Sequence, residues 1–75
     1  MQHLLSFEHD GLPHQVFELE SQGRVQLWFK FADRWEIGHG KRIPHNWTAL
    51  NVALLMAAFI RGEVDQDEYN RLLPV

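Results

Sequence analysis

The chain contains no cysteine, which removes disulfides, thiol nucleophiles and every zinc site built on sulfur, and fits a reducing compartment. Long stretches of one charge are missing as well: seven Lys and Arg are interspersed with ten Asp and Glu, for a formal charge of −3. Neither a basic nucleic-acid binder nor a heavily acidic mimic of DNA has that balance. The longest apolar run, Val52 to Ile60, falls far short of the roughly 20 residues that cross a bilayer. Met1–Glu8 lacks the basic-then-apolar order of a signal peptide. A cytoplasmic protein is the expectation. Length is scarce too, because 75 residues make one domain that buries only roughly 60% of its unfolded surface. With no cross-links available, association with another chain is the natural supplement.

What is present begins as an antiparallel meander over about residues 3–37. His3–Glu8 and His14–Glu20 read as extended, separated by a turn at Asp10-Gly11, with Pro13 expected to stop pairing there. Ser21-Gln22-Gly23 closes a second turn and leads into Arg24–Phe31, where alternation is clean. Val25, Leu27, Phe29 and Phe31 face one way; Arg24, Gln26, Trp28 and Lys30 face the other. Leu5, Phe7, Phe17 and Leu19 are expected to join the buried row. Ala32-Asp33 allows a reversal into a short fourth strand, Arg34–Ile37, expected to bury Trp35 and Ile37. The opposite, solvated face then carries Glu8, Glu18 and Glu20 around Trp28, with Leu4 and Val16 nearby.

A connector at about 38–45 contains two glycines and two cations but matches no phosphate loop: Gly40-Lys41 is followed by Arg42 where Ser or Thr is required. It reads as a sheet-to-helix linker. A long helix follows over about 46–61, with Asn46 as its N-cap and Gly62 just past its end. At 100° per residue it shows two apolar stripes, one through Leu50, Ala53, Leu54 and Ala57, the other through Val52, Leu55, Met56 and Phe59. Asp65 and Glu68 have capping-box spacing, with Val64 and Tyr69 placed as a hydrophobic staple, and a short helix runs from about 65 to 73. Gly62–Tyr69 with Leu72 and Leu73 resembles the terminal helical pair of short C-terminal oligomerisation domains, and that resemblance implies self-association. Cap and staple chemistry yields the same pattern, so no residue role is carried over.

The fold class is therefore α+β: a three- to four-stranded antiparallel meander packed against one long helix, with a short C-terminal helix. Tyr69, Leu72 and Leu73 are too few to cover the second stripe, which leaves apolar surface for another chain. Five histidines stand out, His3, His9, His14, His39 and His45. None of the compact zinc spacings occurs among them, no pair is set at a helical i, i+4 interval, and surface or loop positions account for the set. Ser6 and Ser21 do not occupy a strained nucleophile turn, and the acidic residues lie where helix capping explains them, so no enzyme and no cofactor are expected.

The expectation is a non-catalytic protein-binding module, either a homodimer or a small adaptor or inhibitor of a larger complex of the kind mobile elements and phages use against a host. The residues expected to carry it are Trp28, Lys30 and Arg24 on the sheet, Val52, Leu55, Met56 and Phe59 on the long helix, and Tyr69 and Leu72 beyond it. Histidine-bound metal is one alternative. Weak binding of single-stranded nucleic acid on the Trp28 face is the other, since aromatic and cationic side chains on a sheet can stack bases.

Overall fold

The computed structural model describes residues 1–39 (His39 in its backbone only), residue 43, and residues 46–73. Four strands form a sheet in simple meander order: β1 (Gln2–His9), β2 (Leu12–Ser21), β3 (Arg24–Phe31) and β4 (Arg34–His39). Two helices follow, α1 (Ala49–Ile60) and α2 (Gln66–Leu72). The expected α+β class is observed, although at 12 residues α1 is shorter than the expected helix.

Two-residue turns set the whole sheet. Asp10-Gly11 has φ of 54° and 76°, and Gln22-Gly23 repeats those values. Positive φ at both central positions gives the reversal whose twist matches that of the flanking strands. Pro13 does not end pairing; it stands opposite Glu8 near the start of β2, where a missing N–H is tolerated.

Because the second turn holds two residues and not three, Ser21 pairs with Arg24, Val16 with Phe29 and Phe17 with Trp28. A one-residue slip in register sends every side chain of a strand to the other face. Phe17 and Leu19 therefore lie on the Trp28 side, contrary to expectation, while Val16 goes to the helix side and is fully buried. Glu18 and Glu20, expected beside Trp28, stand opposite Leu27 and Val25 on the helix side. The third turn, at Ala32-Asp33, places Trp35 opposite Lys30 and Ile37 opposite Trp28. Neither residue is buried: Trp35 is 45% exposed and Ile37 51%.

One face of the sheet is covered. Val16 and Leu27 meet Val52, Ala53, Leu55 and Met56 of α1, and Leu73 closes the cluster after α2. Leu4, displaced by a bulge in β1, packs against this cluster together with Leu5 and is not beside Trp28. Thr48, not Asn46, caps α1; its hydroxyl oxygen accepts from the Asn51 N–H at 3.1 Å. At the other end Gly62 takes φ +78°. Its N–H reaches the Phe59 carbonyl while the Glu63 N–H reaches Ala58, the paired closure that a left-handed residue after a helix permits. Asp65 caps α2 by accepting from the Glu68 N–H at 2.8 Å, and Val64 and Tyr69 both pack on the core.

Candidate functional site

β3 arranges its polar residues and Trp28 on the face away from α1, and the register brings apolar side chains from both neighbouring strands onto the same side. The result is an aromatic platform. Trp35 of β4 leans toward Phe17 of β2 with ring centroids 5.1 Å apart, and Phe17 meets the His3 ring edge-on at 5.3 Å. The Lys30 ammonium stands 5.5 Å from the Trp35 ring centroid, within the range over which a cation is attracted to an aromatic face. Trp28 is half-buried, and its indole N–H donates to Gln26 Oε1 at 3.3 Å. Gln15, Arg24 and Glu8 supply the polar surroundings. No described element packs across this face.

Of the residues expected to form an interface, the sheet set Trp28, Lys30 and Arg24 does share this surface. The helix set does not. Val52, Leu55 and Met56 are buried against the sheet, because α1 turns that stripe inward, and they serve as core. Phe59 and Tyr69 are half-buried against one another with ring centroids 5.1 Å apart. Burial holds the Tyr69 phenol above its ordinary pKa. The exposed apolar positions of α1 are Leu50 and Leu54, one turn apart, and Leu72 is exposed on α2. Phe17, Leu19, Trp35 and Ile37, expected inside, lie on this outer face. The signal for them is the two-residue length of the turns, Gln22-Gly23 for β2 and Ala32-Asp33 for β4.

The histidines also divide differently from expectation. His14 is not on the surface: it is 4% exposed, and both ring nitrogens are buried without a hydrogen-bond partner. Phe7 stacks on it at 5.0 Å, Phe31 lies at 4.7 Å and Phe29 at 5.3 Å. His9 approaches across the first turn, its ring centroid 6.1 Å away. Among the described residues no three His, Asp or Glu side chains converge on a common point. Gly40, Lys41 and Arg42, compared above with a phosphate loop, lie outside the described residues, as do His45 and the His39 side chain, while Gly38 belongs to β4 and not to a connector.

On the covered side, an open cleft of about 330 Å³ lies between β3, β4 and the helices, lined mainly by Phe29, Met56, Phe59 and Tyr69 with Glu36 and Gln66. At the end of α1, Arg61 donates to Glu63 at 2.7 Å and 3.3 Å. That hydrogen bonding holds the Glu63 carboxyl below its usual range and raises the Arg61 guanidinium. Both are solvent-facing, so the pair tethers the turn after the helix more than it stabilises the fold.

No described helix is long and apolar enough to cross a membrane. Comparison with curated proteins and with solved structures gave no match. Over residues 5–75, nearly the whole meander-and-helix unit described above, the chain matches and belongs to the family described as Mycobacterium phage L5 gene 74 protein.

Proposed function

We propose that this chain is a non-catalytic association module that docks on another protein through the outer sheet face. Phe17, Trp28, Trp35 and Ile37 supply the apolar contact, with Lys30 and Arg24 as its polar margin. The observation that carries this reading is the exposure of Trp35 and Ile37, at 45% and 51%, beside Phe17 and Trp28 on a sheet face that no described element covers. Large aromatic side chains ringed by polar groups are the usual energetic centre of protein interfaces. Membership of a family described from a phage gene supports a phage-encoded adaptor or inhibitor, with a host protein as partner.

Capture from a host-cell lysate tests the face and not merely the existence of a partner. Wild type and Leu50→Ser, altered on the remote edge of α1, should retain the same protein, while Trp28→Ala should lose it with its fold unchanged by circular dichroism. Retention by Trp28→Ala, or equal loss with Leu50→Ser, sinks the reading.

A second reading draws on the same rings. Three aromatic side chains flanked by Lys30 and Arg24 could stack unpaired bases, although Glu8 on that face and the net charge of −3 oppose phosphate binding. Retention of a single-stranded oligonucleotide that weakens with salt and disappears in Trp28→Ala would favour it over protein docking.

A further inference from the structure

From the free edge of β4 we infer that a second copy of this chain pairs antiparallel with it about a two-fold axis at Trp35, setting Arg34 of each copy opposite Glu36 of the other. This rests on the reading of the chain as an association module and names one partner for it.

The sheet ends in β1 and β4, and each edge is interrupted by one bulge, between His3 and Leu5 in β1 and at Gly38 in β4, where Trp28 faces Ile37 and Leu27 faces His39. A bulge blunts an edge against further pairing, so a second strand can add only along a regular stretch. Up to its bulge β4 runs regularly from Arg34 to Ile37 opposite Phe31 to Trp28, and every one of those four residues is exposed. Phe31 and Arg34 close a two-residue turn, so they exchange backbone hydrogen bonds with each other. Along the strand the direction of the N–H and C=O groups alternates. Arg34 and Glu36 therefore direct theirs at β3, and Trp35 and Ile37 direct theirs outward, where no other described strand stands.

Edges are normally protected by like charges that repel a second copy. Here the two charged residues of the strand, Arg34 and Glu36, have opposite signs on one side of the pleat, 3.1 Å apart within the chain and largely exposed. Two-fold pairing at Trp35 sets each beside its complement and lets the outward groups of Trp35 bond to those of its symmetry mate. Shifting the axis to Glu36 would instead oppose two carboxylates directly, which is unfavourable. The selected register joins the two outer faces into one continuous eight-stranded surface, with the two Trp35 residues opposite one another at its centre and Phe17, Trp28 and Ile37 repeated on both sides.

Molar mass by light scattering over a concentration series, with no other protein present, tests this. Wild type should reach twice the chain mass, whereas Arg34→Glu and Glu36→Arg should each remain at the single-chain mass while keeping the wild-type circular dichroism. Mixing these two variants in equal amounts should restore the doubled mass, since each then faces its complement across the axis. The intrachain Arg34–Glu36 contact cannot produce that recovery. A wild type that stays monomeric at the highest concentration reached overturns the inference, as does a dimer indifferent to both reversals or a mixture that does not re-form. None of these results bears on partner capture through Trp28, so this inference can fail while the docking face stands.

Discussion

Phe17 on β2 and Trp35 on β4 touch although β3 runs between their strands, with ring centroids 5.1 Å apart at an interplanar angle of 46°. Both strands aim these side chains away from the helix layer, so the contact lies on solvent-facing ground. Trp35→Ala should then cost only about 1 kcal/mol, the scale of an aromatic pair, while Leu27→Ala, at 0% exposure, should cost about 2–5 kcal/mol. Urea unfolding of both variants checks the contrast. Equal losses would mean that the outer face is part of the folding core.

His14 should be replaceable by an apolar ring. Its two nitrogens are buried among Phe7, Phe29 and Phe31 without a partner, and a buried polar group left unpaired costs about 1–3 kcal/mol. His14→Phe should raise stability by about 1 kcal/mol once the slightly larger ring is accommodated, read as a higher denaturation midpoint with an unchanged slope. A lower midpoint would show that the imidazole makes an interaction worth keeping.

Gly38 and Met56 compete for one space. A Cβ built at Gly38 would overlap the Met56 methyl, while the Leu27 carbonyl lies 3.5 Å away. Gly38→Ala should cost on the order of 1 kcal/mol as the flexible thioether is pushed aside. In the background of Met56→Ala, itself destabilising, the same change should cost nothing. A double-mutant cycle reads the coupling, and additive losses would refute the clash.

Tyr69 gives a pH dependence with a definite sign. Burial raises its pKa, so the folded protein holds the phenolic proton to higher pH than the unfolded chain does. Stability owes nothing to this difference below about pH 10, the unfolded value. Above it the unfolded state loses its proton first, and stability falls until the folded phenol ionises as well. Tyr69→Phe should remove that alkaline loss. As the chain has one tyrosine, the phenolate absorbance reports this residue alone.

The fold class was legible because its signals are local: alternation along Arg24–Phe31, glycine in the turns, and the capping pattern at Asp65 and Glu68. The candidate site was not, and the reason is a count of one. Taking Ser21 as a turn residue pairs Phe17 with Leu27 and hides it, whereas taking it as a strand residue pairs Phe17 with Trp28 and exposes it. Trp35 and Ile37 were hidden by hydrophobicity alone, although the two-residue turn before them already placed them beside Lys30 and Trp28. The cap of α1 went to Thr48 over Asn46 because both side chains can accept from a helix N–H, and spacing alone does not choose between them. That Val52, Leu55 and Met56 turn inward together with Ala53 and Ala57 of the other stripe, leaving Leu50 and Leu54 outside, depends on the sheet's occupied face, a long-range fact that no window of the helix contains.

The described residues extend 35 × 28 × 15 Å, so the molecule is a slab of two layers with no interior remote from either surface. In such a body the backbone amides of the central strands β2 and β3 have no independent shelter. Their exchange with deuterated water would proceed through opening of the whole slab, and the slowest of them would report its global unfolding free energy.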